Sequence, residues 1–184
     1  MSAFTDKFEI FIDLGLITIP SNYVHKTFLA GARKRLCAGN TRICEGITDL
    51  NYSKQDRVIN PGEQFRVCIF RQVVNGLAKD STTLGQRTST TEERMNYLSK
   101  YKDPVFLGAQ GAVLVLEQKG YVLPKGLWCI SMDREANCWF EGADPRVSYI
   151  FPYVDGNFEV GHFPYGYVWF AHHLFLGFFE VDTE

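Results

Sequence analysis

The stretch PVFLGAQGAVLVLEQKGYVLPKGLWCISMD, residues 104–133, contains the longest apolar run of the chain, AVLVL at residues 112–116. A run of this kind is typical of a segment that the rest of the fold buries. Four glycines punctuate the stretch, namely Gly108, Gly111, Gly120 and Gly126. Periodicity alone does not separate a buried helix from a buried strand here, and Val113 with Val115 favours a strand. The length of the segment and the glycine that follows it favour a helix, which we predict over residues 109–119.

The N-terminal part of the chain alternates between strand and helix patterns. Apolar residues alternate with polar ones from Phe8 to Leu14, which predicts a half-buried strand. Apolar side chains recur every four residues over residues 22–37, which predicts an amphipathic helix. Residues 41–64 show isolated apolar positions and a turn, and we expect short strands and loops there. Residues 65–74 predict a strand with apolar side chains on both faces, which indicates a position inside a sheet.

A Ser/Thr-rich segment, residues 80–91, predicts a surface loop before a further helix. Two capping boxes fit the start of that helix, Thr90 with Glu93 or Ser89 with Glu92. Asp103 followed by proline ends it.

The C-terminal third predicts antiparallel sheet that is rich in aromatic residues. Tyr149, Phe151 and Tyr153 alternate before Asp155-Gly156, a dipeptide typical of a tight hairpin turn, and residues 158–163 return. Together these elements predict a single α+β domain over residues 1–184, with an antiparallel or mixed sheet and about three helices packed mainly on one face.

Composition and charge favour a cytoplasmic protein. The net charge of -2 gives no overall attraction to polyanions, and the chain has no apolar segment long enough to cross a membrane. Acidic residues interrupt the apolar N-terminus, which is unlike a secretory signal. The five cysteines are odd in number, and none forms a CxxC pair. Cys129 and Cys138 flank a predicted hairpin, but a reducing compartment argues against a disulfide between them.

One alternative function is binding of nucleic acid or another polyanion. The segment from Leu14 to Cys44 has no acidic residue, and it carries five cations. They are Lys26, Arg33, Lys34, Arg35 and Arg42. Ammonium and guanidinium groups on one helix side would meet phosphates, although no helix-turn-helix, RRM, KH or zinc-finger pattern accompanies them.

A second alternative is a small hydrolase that uses a cysteine and a histidine. The chain has no GxSxG, HExxH or P-loop motif, and we predict no metal site, no cofactor and no catalytic residue. The spacing LGAQGA at residues 107–112 indicates close packing rather than phosphate binding. The sequence therefore favours a protein that is not an enzyme.

The function that the sequence favours is protein binding through an aromatic sheet surface, by self-association or with another protein. Twelve aromatic residues lie between Tyr149 and Phe179, and Tyr and Trp are enriched at binding hot spots. If residues 165–169 form a strand, Tyr165, Tyr167 and Trp169 share one face of it. The predicted binding residues are Tyr165, Tyr167, Trp169, Trp128 and Trp139.

Overall fold

A computed structural model of the protein describes residues 7–73 and 88–181. The helices in this part of the chain are α1 (His25–Leu36), α2 (Thr91–Leu98) and α3 (Gly108–Lys119). The strands are β1 (Phe8–Thr18), β2 (Thr41–Ile43), β3 (Gln64–Gln72), β4 (Thr88–Ser89), β5 (Pro104–Val105), β6 (Trp128–Ser131), β7 (Trp139–Glu141), β8 (Asp144–Pro152), β9 (Phe158–Pro164), β10 (Trp169–Phe170) and β11 (His173–Glu180).

Nine of these strands form one mixed sheet. Its order is β1-β3-β11-β6-β8-β9-β2, with β5 paired to β11 and β7 paired to β8. The pairs β11-β6 and β2-β9 are parallel, and the other pairs are antiparallel. A second, two-stranded sheet joins β4 to β10.

The helices lie on both faces of the large sheet, two on one side and one on the other. Helices α1 and α3 contact each other, and α3 packs on β6 and β8. Helix α2 packs on the opposite face, where Tyr97 contacts the rings of Phe70 on β3 and Phe175 on β11. The predicted α+β class, with a mixed sheet and three helices, is confirmed.

Helix α3 is the predicted helix of the central stretch, and it begins one residue earlier than predicted. Every residue from Gly108 to Leu116 is buried, since α1 covers one side of the helix and the sheet covers the other. Gly108 has a positive φ of 48°, which a residue with a side chain rarely adopts. At Gly111 an added Cβ would lie 2.8 Å from Phe178 Cζ, so the small residue permits close approach of helix and sheet.

Several local predictions need correction at their boundaries. The first helix begins at His25 rather than residue 22, and residues 165–168 form no strand, so β10 starts at Trp169. Of the predicted surface loop, residues 80–87 lie outside the described residues, and Thr88–Ser89 form β4. The capping box is the Thr90 and Glu93 pair. Cys129 and Cys138 are free thiols.

In the described part of the chain, no helix is both long enough and apolar enough to cross a membrane. The longest, α1 and α3, have 12 residues each.

Candidate functional site

The candidate site is an aromatic surface on the face of the sheet that also carries α2. We call it the aromatic face and define it by Trp128, Tyr149, Phe151, Tyr153, Phe163 and Tyr167. Trp128 lies on β6, Tyr149 and Phe151 lie on β8, and Phe163 lies on β9. Tyr153 directly follows β8, and Tyr167 lies at the turn after β9. Alternation along β8 places residues 149, 151 and 153 on one side of the sheet.

The rings of the aromatic face contact one another in a continuous series. Trp128 lies over Phe151, with ring centroids 4.5 Å apart, and Phe151 meets Tyr153 edge to face at 4.8 Å. Phe163 joins this group to Tyr167, with which it stacks at 5.1 Å. Tyr153 is 39% exposed, and Trp128, Phe151, Phe163 and Tyr167 are half-buried. The face therefore offers ring surface to a partner without any change in the fold.

Glu159 on β9 fixes two of the tyrosines. The hydroxyl of Tyr149 donates to Glu159 Oε1 at 2.6 Å, and the hydroxyl of Tyr153 donates to Oε2 at 2.9 Å. Burial and this carboxylate raise the pKa of Tyr149. Gly161 makes the arrangement possible, because a Cβ there would lie 2.5 Å from Tyr149 Cζ. The guanidinium of Arg42 lies 3.9 Å from Glu159 at the edge of the face.

A buried arginine, Arg94, lies beside Trp169, whose ring contacts Phe163 and Tyr167 of the aromatic face. The guanidinium of Arg94 on α2 is fully buried, and it lies 5.3 Å from the ring of Trp169 and 5.1 Å from that of Phe175. It donates to Ser89 Oγ at 2.9 Å and to Phe170 O at 3.3 Å. Burial lowers the pKa of Arg94 to about 9. Arg94 therefore connects α2 with both strands of the small sheet.

His173 lies between this arginine and the aromatic face. Its Nδ1 accepts the backbone N–H of Phe170 at 3.1 Å, which places the proton of the neutral imidazole on Nε2. Burial, with the neighbouring His172 and Arg94, lowers the pKa of His173 to about 4. The ring is thus neutral near pH 7 and packs against Trp128 at 5.2 Å.

The structure divides the predicted binding residues among four environments. Trp128 and Tyr167 belong to the aromatic face, and Tyr165 is half-buried beside α2, where its hydroxyl donates to Met95 Sδ. Trp169 is fully buried and donates through Nε1 to Thr91 Oγ1 at 2.9 Å. Trp139 lies on the other face of the sheet, 4.9 Å from the ring of His162. Residues 165, 167 and 169 do not share a strand face, because a turn separates them.

Sequence reasoning missed Tyr149, Phe151, Phe163 and Glu159 as members of the site. The alternation of residues 149, 151 and 153 was visible, and so was the hairpin that brings residue 163 opposite residue 147. What the pattern did not show is which face of β8 is covered by helices. That depends on α3, which is distant in sequence.

The basic segment is largely occupied by internal contacts. Arg33 donates to the carbonyl oxygens of Ile43, Cys44 and Ile47 at 2.8 to 3.0 Å, and Arg35 pairs with Glu117 at 2.8 Å. Lys26 and Lys34 are exposed on α1, and the side chain of Arg42 is 79% exposed on β2. The five cations therefore do not form one continuous surface.

The three buried cysteines, Cys68, Cys129 and Cys138, lack the features of nucleophiles. Burial raises the pKa values of Cys68, Cys129 and Cys138, to about 11 for Cys68 and about 12 for Cys129. A raised pKa disfavours the thiolate, which is the reactive form. Within the described ranges, no three His, Cys, Asp or Glu residues are grouped in a way that would hold a metal ion.

No protein-family model, no curated protein sequence and no solved structure matches the chain. The site must therefore be interpreted from its own chemistry.

Proposed function

We propose that the protein is an interaction protein and that its aromatic face binds a second copy of the chain. The observation that carries the proposal is the continuous series of partly exposed rings on β6, β8 and β9. Large aromatic side chains supply much apolar area at little cost in side-chain entropy, and they dominate binding energy at protein interfaces.

The charges beside the face support a second copy as the partner. A two-fold interface brings the same surface of two subunits together, so each surface must complement itself. The aromatic face carries Glu159 at its edge beside the exposed Arg42, and Asp155 of the adjacent hairpin is also exposed. A two-fold arrangement would place the cation of one copy near the carboxylates of the other. The small net charge of -2 adds little repulsion between copies.

A polyanion is a weaker candidate for this face. The face tyrosines donate to the carboxylate of Glu159, and Arg42 at the edge of the face is paired with the same carboxylate, which disfavours a phosphate there. The polyanion alternative through residues 26–42 stays a prediction, and it would depend on Lys26, Lys34 and Arg42. The raised pKa values of the Cys68 and Cys129 thiols weigh against the hydrolase alternative.

The cytoplasmic location is part of the proposal. All five cysteines are free thiols, which supports a reducing compartment.

Sedimentation velocity of the purified chain between about 1 and 100 μM tests the proposal. We expect a dimer whose dissociation constant rises by roughly 30-fold for each of the two side chains that Trp128→Ala removes from a two-fold interface, since loss of a hot-spot side chain costs about 2 kcal/mol. Tyr153→Ala should weaken the dimer as well, and its partial exposure leaves the fold intact. Tyr121→Ala is the matched control, because Tyr121 is an aromatic residue that is 82% exposed outside the face.

A chain that stays monomeric at 100 μM would overturn the proposal and leave a different protein as the occupant of the face. A dimer that Trp128→Ala and Tyr153→Ala do not weaken would also overturn it, because association would then use another surface. Thermal unfolding of each variant shows whether a lost dimer reflects a lost fold.

A further inference from the structure

A row of three polar side chains, two of them buried and the third half-buried, crosses the sheet on the face that carries α3. Ser131 on β6 is paired with Ser148 on β8, which is paired with His162 on β9. Side chains at directly paired positions point to the same face and lie about 5 Å apart at Cβ. Both serines are fully buried. We call these three residues the polar row.

The polar row lacks hydrogen-bond partners within residues 7–73 and 88–181. Ser131 Oγ, Ser148 Oγ and His162 Nδ1 are buried atoms without a partner there. Two more such atoms are nearby, the hydroxyl of Tyr52 and Nε of Arg146, which precedes Ser148 by two residues on the same face of β8. Buried polar groups are nearly always hydrogen-bonded, and each exception needs an explanation. Five exceptions in one place indicate an occupant.

A loop and the ring of Trp139 cover the row. Residues 44–56, which follow β2, lie over it, and Gly46 is so close that a Cβ would be 2.9 Å from His162 Nε2. Tyr52 of this loop is 1% exposed and its ring lies 6.5 Å from that of Trp139. The buried Gln110 of α3 donates to Tyr52 O at 2.8 Å, which holds the loop against the helix.

The start of α3 lies beside the row. The amide of Gly108 donates to Met132 O at 3.3 Å, directly after Ser131, so the first turn of the helix faces the end of β6. The preceding residue, Leu107, provides no side-chain cap. A helix N-terminus carries a partial positive charge and free amide groups.

The five groups share one chemical property, since each of them is able to donate a hydrogen bond, whereas the unpartnered Oε1 of Gln55 in the covering loop is an acceptor. The two serines and Tyr52 do so through hydroxyls, Arg146 through a guanidinium N–H, and His162 through whichever tautomer protonates Nδ1. Arg146 and the helix N-terminus disfavour a cation. We propose that the polar row, Tyr52 and Arg146 form a buried binding site for a small oxyanion, such as a phosphate group or a carboxylate.

The charges around the site are compatible with an anion below neutral pH. Arg146 pairs with Glu141 through a second nitrogen at 2.6 Å. Burial lowers the pKa of His162, and the charge of Arg146 lowers it further. Asp133 is the carboxyl at the start of α3, and burial raises its pKa to about 7. It is therefore mainly protonated at pH 6, where it does not repel an anion.

Thermal unfolding of the full chain at pH 6 tests the site. Sodium phosphate, sulfate and acetate at 20 mM are compared with sodium chloride of equal ionic strength. A ligand that binds the folded chain alone raises the midpoint, and we expect a rise of about 3 °C or more with at least one anion. A rise with phosphate and sulfate alone assigns a tetrahedral phosphate-type group, and a rise with acetate alone assigns a carboxylate.

Variants locate the effect. The double variant Ser131→Ala, Ser148→Ala should lose the rise, and Ser53→Ala, an exposed serine of the covering loop, should keep it. The same anion should move the imidazole ¹⁵N resonances of His162 in the wild-type chain, which provides a measurement independent of the variants. No rise with any of the three anions, or a rise that persists in the double variant, would overturn the proposal and leave ordered water as the occupant.

Discussion

Replacement of Asp133 by asparagine should stabilise the protein, by up to about 4 kcal/mol at alkaline pH and by about 1.6 kcal/mol near pH 5. Asp133 is 4% exposed, and its Oδ1 accepts the N–H of Arg134 at 2.8 Å and Nδ2 of Asn137 at 3.3 Å. Burial raises the pKa of this carboxyl from 3.8 to about 7, against the smaller effect of these hydrogen bonds. The folded chain therefore prefers the neutral carboxyl.

The size of the effect follows from proton linkage. Between pH 4 and pH 7 the folded chain keeps a proton on Asp133 that the unfolded chain has released. Raising the pH through this window therefore lowers the free energy of unfolding. The gap between 3.8 and about 7 corresponds to about 4 kcal/mol at 1.36 kcal/mol per pH unit. Asparagine keeps the acceptor oxygen and cannot ionise, so Asp133→Asn should gain up to about 4 kcal/mol at pH 8.

Urea unfolding of the wild type and of Asp133→Asn at pH 5 and pH 8 measures this difference. The difference in unfolding free energy between the two chains is the informative quantity. His173 contributes a pH dependence of opposite sign to both chains, and the subtraction removes it. Asn137→Ala is a useful companion, since it should raise the pKa of Asp133 further by removing one hydrogen bond. An equal effect of Asp133→Asn at both pH values, or a loss of stability that grows with pH, would refute the reasoning.

Three further variants test other parts of the fold. The free energy of unfolding of the wild type should fall by about 3 kcal/mol as the pH falls from 6.5 to 4, because the unfolded chain takes up a proton on His173 and the folded chain does not. His173→Asn should remove this fall. Urea unfolding across this pH range measures the difference. Gly161→Ala should displace the ring of Tyr149 and cost about 1–3 kcal/mol, with a changed near-ultraviolet circular dichroism spectrum; an unchanged spectrum would contradict the close contact. Arg33→Met should lower the free energy of unfolding in urea by about 3 kcal/mol, because three carbonyl oxygens lose their charged donor. Lys34→Met, at the exposed neighbouring position, should change it by less than about 0.5 kcal/mol. Equal effects of the two variants would contradict the assigned role of Arg33.

The elements that local sequence determines were the ones that could be predicted. The helix at residues 108–119 follows from its length and flanking glycines, and the β8–β9 hairpin follows from Asp155-Gly156. Gly156 has a φ of 90°, and the side chain of Asp155 accepts the N–H of Asn157 at 2.9 Å. These signals act over a few residues, so no knowledge of the remaining fold is needed to interpret them.

The sheet order could not be predicted, because it depends on pairing between distant segments. No local pattern indicates that β11 lies between β3 and β6, or that β2 pairs in parallel with β9. The same limit applies to the polar row. Ser131, Ser148 and His162 are ordinary polar residues in three separate segments until the register of β6, β8 and β9 aligns them.

Burial of single side chains was the other limit. Arg94 follows the capping box of α2 and would be expected on a solvent-exposed helix side, yet it is fully buried. Trp169 was predicted at a binding surface, and it is fully buried beside Arg94 instead. Both outcomes depend on the small β4–β10 sheet, whose strands are about 80 residues apart in sequence.

The position of β11 has a consequence for how the chain folds during synthesis. This strand follows every other described strand in sequence, yet it lies in the interior of the sheet, between β3 and β6. Until residues 173–180 leave the ribosome, β3 and β6 each have an unpaired edge in the nascent chain, and an unpaired edge is a template for aggregation. The sheet therefore closes late, and a ribosome-bound chain that stops before residue 173 should require a chaperone to remain unaggregated.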